Sequence, residues 1–209
     1  LETGAGIVKI TVEGDLITMT QVAPTFGAEV PSDIVAPVGG IDSQDIISPP
    51  QIMSTGLPFC ITVVKDRETL DRVCLNAKAL NDYFAHLGQE GTDVLEPYWI
   101  TLEGATDAGD TYARLLLAPP SPPEDPFTGS ATGAAASYLW ARGLISEPTY
   151  VAEQGHSMGR AGMAQVEVLG PPQAITGVRV AGRGVVVMMT RGWSQRRIPN
   201  CIISHVSWA

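Results

Sequence analysis

Short runs of β-branched and apolar residues alternate along the chain with one longer stretch whose apolar residues recur at helical spacing and another that is small and apolar nearly throughout. Residues 6–11 (Gly-Ile-Val-Lys-Ile-Thr) and 16–20 (Leu-Ile-Thr-Met-Thr) flank Glu13-Gly14-Asp15, which predicts a hairpin. Residues 31–50 are crowded with Pro, Gly and Asp, and Pro37 and Gly39-Gly40 break any long helix, so they read as short helical turns and loop. A strand is predicted at 58–64. An amphipathic helix follows: Leu70, Val73, Cys74, Ala77, Leu80, Phe84 and Leu87 share one face, Asp66 caps the start and Gly88 ends it. Strands near 98–103 and 111–117 lead to Pro119-Pro120-Ser121-Pro122-Pro123, read as a stiff extended connection.

The second helix, about residues 129–142, has small or apolar residues nearly all round, including Ala131, Gly133, Ala134, Ala135, Ala136, Tyr138, Leu139 and Trp140. A helix without a polar face is buried on every side, and small side chains let strands approach it closely. Strands predicted near 148–153, 162–169, 175–181 and 184–190 can supply that wrapping. The order of strands, helix, strands, buried helix and strands predicts an α+β fold and not a regular βαβ alternation. The tail from Gly192 shows neither period, and no internal repeat stands out.

Composition narrows the function. With 209 residues, 44% hydrophobic and 17% charged, the chain is a folded globular protein with enough length for a full core. A formal net charge of -9 gives no electrostatic support for nucleic acid, and the one basic cluster is Arg191, Arg196 and Arg197 near the end. Cys60, Cys74 and Cys201 are odd in number and widely spaced, which disfavours a disulfide framework and a zinc site. His86, His156 and His205 are not spaced as metal ligands, so no metal is expected. The six methionines form no stripe and read as core filling. No apolar run approaches the roughly 20 residues of a membrane span. Leu1-Glu2-Thr3-Gly4 shows no basic region followed by an apolar one. A cytoplasmic protein is the expectation. The chain opens almost directly into a strand without an initiator Met, and upstream sequence is expected.

The segment most suggestive of chemistry is Glu124-Asp125-Pro126-Phe127-Thr128-Gly129-Ser130-Ala131. Two carboxylates stand one turn before the buried helix. Thr128 and Ser130 can cap it, and Gly129 lets a ligand approach the backbone. The first N–H groups of a helix lack partners and favour an anion, so a substrate carboxylate could rest there. Asp125 could bond an amine or take part in proton transfer. On spacing alone, plain helix capping by Asp125 and Ser130 fits as well.

These eight residues resemble the signature of the PhzF-like family, whose phenazine-pathway members isomerise dihydro-hydroxyanthranilate. Leu1-Glu2-Thr3-Gly4-Ala5-Gly6 resembles the family's mid-chain "ETGxG" strand, followed by Met19-Thr20-Gln21-Val22-Ala23-Pro24. Gln154-Gly155-His156-Ser157-Met158-Gly159-Arg160 resembles its downstream "QGxxMGR" segment, and residues 175–189 resemble its last strands. The likeness covers about residues 1–190 in the family's order. It implies a diaminopimelate-epimerase-like fold of two related halves, each a sheet curled around a central helix, with the active site between them. It also implies a homodimer. By position, Asp125 corresponds to the family's active-site aspartate, and Gly129 and Ser130 to its helix-terminus contacts; Thr128, between them, is expected to be a further substrate-binding residue. Arg160 could hold a substrate carboxylate, and a structural ion pair fits it equally. No Cys lies near residues 124–132, which disfavours thiol-based racemisation.

The family's catalytic Glu and Gly-His motif precede the "ETGxG" strand and so lie outside these residues. Gly155-His156 and Ser146-Glu147 are not credible substitutes. Residues 1–25 are expected to be remnant strands of the N-terminal half, 26–190 the C-terminal domain and 191–209 an atypical tail. The implied function is cofactor-independent isomerisation by acid/base proton transfer on a small carboxylate-bearing substrate. The alternative is a truncated, inactive homologue that binds a ligand or partner, with an uncovered apolar face that promotes dimerisation or aggregation.

Overall fold

The computed structural model describes residues 2–3, 6–88 and 94–183; the strand expected at 184–190 and the tail lie outside them. Two short strands, β1 (Glu2–Thr3) and β2 (Gly6–Ile7), pair with each other. The predicted hairpin is β3 (Lys9–Glu13) and β4 (Leu16–Gln21), which begins later than expected because Gly6 and Ile7 are engaged with β1. β5 (Thr25–Glu29) is followed by α1 (Ser32–Gly39), then β6 (Gln51–Ser54) and β7 (Pro58–Val63). The structure then adds α2 (Arg67–Arg72), α3 (Ala77–His86), β8 (Tyr98–Thr101), β9 (Thr111–Leu116) and β10 (Glu124–Asp125). The buried helix α4 (Gly129–Ala141) precedes β11 (Thr149–Gln154), β12 (Gly162–Leu169) and β13 (Gly177–Arg183).

Two expectations are corrected. The helix predicted from Asp66 to Gly88 is two helices. Asp66 does cap the first, accepting from the Thr69 N–H at 2.7 Å, but the chain leaves helical geometry at Val73. The Cys74 and Asn76 N–H groups bond the Gly39 and Val38 carbonyls of α1 at 3.0 and 2.9 Å, and the Asn76 side chain restarts the helix. Tertiary backbone bonds thus outweigh a local periodicity. The proline stretch is also not extended. Ser121 N–H bonds Ala118 O and Leu117 N–H bonds Pro123 O, so the segment turns and lays β10 antiparallel on β9.

The strands other than β1 and β2 form one mixed sheet in the order β3-β4-β13-β12-β11-β9-β8-β7-β6-β5, with β10 also on β9. Neighbours are antiparallel except the parallel pairs β9–β11 and β7–β8. Helix α4 packs against β6 and β7 from one part of this path and against β12 and β13 from another, so the sheet curls around it. Residues Ala131 to Leu139 are all buried. Strand alternation divides the packing. Tyr98 and Ile100 of β8 join α4 in the inner core, while Trp99 joins α1 and α3 in a second core outside the sheet.

At the N-terminal end of α4 the curl is closed by a side-chain bond. Gln21, at the end of β4, donates to Gly129 O at 2.7 Å and accepts from the hydroxyl of Thr55, just past β6. The absence of a side chain at Gly133 makes room for this: a Cβ there would stand 1.8 Å from Gln21 Oε1.

Candidate functional site

The loop from Asp125 to Thr128 joins β10 to α4. Neighbouring residues of a strand face opposite ways, and β10 shows the consequence. Glu124 turns to the outer side, where Arg114 holds it through two bonds, Nε to Oε1 at 3.1 Å and Nη2 to Oε2 at 2.9 Å. The Ser157 hydroxyl adds a third at 2.7 Å. Arg114 Nη1 also caps the end of α2 through the carbonyls of Leu70, Asp71 and Val73. Glu124 is therefore committed to the fold.

Asp125 belongs to the α4 side. It is half-buried, and its Oδ2 accepts from the Thr128 hydroxyl at 2.5 Å; among the described residues no donor reaches Oδ1. Thr128 occupies the N-cap position of α4 but makes no capping bond, because its hydroxyl goes to Asp125. Ser130 makes no capping bond either. Its carbonyl accepts from Thr55, and its side chain is half-buried beside Gly129. Among the described residues no acceptor reaches the N–H groups of Gly129, Ser130 and Ala131, the first of the helix. The structure thus brings Asp125, Thr128, Gly129 and Ser130 together at one end of α4.

Arg160 closes the turn that backs this loop. Gly155 has φ 83°, and a Cβ there would stand 2.3 Å from Arg160 O and 2.6 Å from Pro126 O, so only glycine lets the two segments meet. The Arg160 N–H bonds Gly155 O at 3.0 Å, and its side chain is exposed without an ion pair among the described residues. A cavity of about 530 Å³ sits away from this loop, on the outer face of β4, β13, β12 and β11.

Sequence reasoning gave no role to Gln154, which is fully buried beside Asp125 and Thr128. Gln21, Thr55 and Tyr98 were also passed over. The available signal was a glutamine at a buried strand position inside each of two recognised motifs. Burial pushes the Tyr98 phenol well above its ordinary value, so it is protonated and donates to Gln154 Oε1 at 3.1 Å.

Comparison with known proteins follows the same stretch of chain. A family model described as "Phenazine biosynthesis-like protein" (PhzC-PhzF) matches residues 1–190. An uncharacterized isomerase of Clostridium acetobutylicum is 28% identical over 200 residues, covering 89% of this chain and 64% of that protein. The uncharacterized isomerase YfhB of Bacillus subtilis is 26% identical over 176 residues, covering 80% and 58%. A PhzF-family phenazine biosynthesis protein of Bacillus anthracis has TM-score 0.67 at 24% identity, over 87% of this chain and 63% of that one. A predicted epimerase of Pseudomonas aeruginosa has TM-score 0.63 at 26% identity, over 84% and 58%. The chain spans less than two thirds of the length of each.

Proposed function

The chain belongs to the phenazine biosynthesis-like (PhzC-PhzF) family, matched over residues 1–190, and we propose that it supplies one side of the active site of a cofactor-independent isomerase. The reaction is an acid/base proton transfer within a small carboxylate-bearing substrate. The substrate carboxylate rests on the N–H groups of Gly129 and Ser130, where the helix dipole favours an anion. Asp125 orients an amine or hydroxyl of the substrate through Oδ1, which no donor among the described residues reaches, and is the catalytic residue. Thr128 fixes the other oxygen, and Arg160 adds a cationic anchor for the carboxylate. The proton-carrying Glu is assigned to the part of the relatives' length outside this sequence. The same reading makes the fold diaminopimelate-epimerase-like, with 26–190 as the C-terminal domain.

One observation carries this reading: among the described residues, a carboxylate has one oxygen tied and one without a donor, on a loop beside three helix N–H groups that no acceptor reaches. Full-length protein incubated in deuterium oxide with a panel of small amino- and hydroxy-carboxylates should introduce deuterium into a substrate, followed by proton NMR. Asp125→Ala should lower that rate by about 10²–10⁴-fold, the usual worth of a general acid or base. Undiminished incorporation in Asp125→Ala removes the assignment. Ligand-induced shifts at Ser130 without incorporation from any compound would favour the binding-only alternative.

A further inference from the structure

Gln154 is 0% exposed, and the capacity of its amide is used on four contacts. Nε2 donates to Asp125 O at 2.8 Å and to Thr128 Oγ1 at 3.2 Å; Oε1 accepts from Thr128 N–H at 3.0 Å and from Tyr98 OH at 3.1 Å. The orientation of an amide is often ambiguous, but here chemistry decides it. A backbone carbonyl only accepts and a backbone N–H only donates, so the nitrogen must face Asp125 and the oxygen Thr128 N–H.

A consequence follows for one proton. Thr128 Oγ1 receives a hydrogen from Gln154, so its own hydrogen must leave in another direction. The acceptor in reach is Asp125 Oδ2, at 2.5 Å. The neighbouring hydroxyls cannot compete. Tyr98 spends its proton on Gln154, and Thr132 donates to Thr128 O at 3.0 Å. The chain of donors therefore runs Gln154 to Thr128 to Asp125, and it ends by occupying one carboxylate oxygen while no donor among the described residues reaches the other.

We infer that Gln154 is a positioning residue for Asp125: by donating to the Thr128 hydroxyl it aims that proton at Oδ2 and presents Oδ1 to the substrate. This rests on the reading of Asp125 as the residue that touches substrate. Gln154→Glu keeps the shape and can still accept from Thr128 N–H and Tyr98, but its carboxylate cannot donate to Thr128 Oγ1. The Thr128 proton is then drawn to residue 154 and away from Asp125.

The test is proton NMR of the full-length protein at low temperature, observing the Thr128 hydroxyl proton, its exchange with water and its cross-peak to the Asp125 side chain. In wild type the proton should be slowly exchanging and close to Asp125, and Thr128→Ser should keep both properties. In Gln154→Glu the Asp125 cross-peak should vanish. In Gln154→Met, which removes the donor without adding a charge, exchange should quicken by at least about tenfold, as expected for a lost bond in a charge-assisted chain. Gln154→Met also serves if Gln154→Glu does not fold. An Asp125 cross-peak and exchange rate unchanged in a folded Gln154 variant would overturn the relay, whatever Asp125→Ala does to turnover. An altered hydroxyl together with full turnover in Asp125→Ala would instead overturn the catalytic reading, and with it the positioning role.

Discussion

Glu124 and Asp125 are consecutive residues on one short strand, yet they serve different regions of the molecule. On the outer side of the sheet, Glu124 is enclosed with Arg114 and Ser157, and the bonds tie β9, β10, α2 and the turn after β11 into one body. On the inner side, Asp125 has one tied oxygen and, among the described residues, one without a donor, at the mouth of a helix whose first N–H groups no described acceptor reaches. Saturated polar groups hold a fold together, whereas unsaturated ones at a surface are available to a ligand. The difference between the two carboxylates is thus the difference between a structural and a chemical use of the same functional group.

Exchange of roles is the sharpest way to break this contrast. Glu124→Gln should destabilise the protein by about 3–5 kcal/mol in urea unfolding, because it leaves Arg114 unpaired in a largely buried setting. Asp125→Asn should stay within about 1 kcal/mol of wild type in the same assay, since it disturbs one half-exposed hydrogen bond. Equal losses from the two would show that the sides of β10 do not differ as described. A smaller effect is expected at Gly133. Alanine there improves helix propensity, but it displaces Gln21 from Gly129 and Thr55, for a net loss of about 1–3 kcal/mol. A stabilised Gly133→Ala would mean that the Gln21 bridge contributes little.

The smallest effect concerns acid. Hydrogen bonds from Thr69 hold the Asp66 carboxyl below its ordinary value of 3.8, and the hydrogen bond from Lys65 does the same for Asp45. A carboxylate lowered in the folded state contributes stability that is present above its unfolded value and lost as pH falls through the folded one. Thermal melts taken below pH 4 should therefore decline less steeply for Asp66→Asn, which keeps a capping oxygen but does not titrate. Parallel declines for the two proteins would remove Asp66 from the account.

What the sequence disclosed about the fold was whatever local pattern determines. The hairpin at Gly14, the strands β7, β8, β9, β11 and β12, and the burial of α4 all follow from side-chain type and spacing. β5 and β6 were not legible, because Thr25–Glu29 and Gln51–Ser54 owe their extended form to pairing with each other. The break between α2 and α3 depends on carbonyls of α1 more than thirty residues earlier, which no helical period records. The motif around Asp125 announced a candidate site, but its internal logic came from elsewhere: Gln154 lies 29 residues beyond Asp125, and Gln21 lies 108 residues before Gly129.

The wrapping of α4 also bears on the order in which the protein can be made. The helix is synthesised after β6 and β7, which cover one side of it, and before β12 and β13, which cover another. A nascent chain ending near Gly143 would carry an oily cylinder with one flank bare, a surface prone to capture by chaperones or by its own copies. Only when residues as late as Val178 and Val180 arrive can that flank be sealed. Truncations that remove β13 should therefore harm yield, because they leave that flank of α4 uncovered.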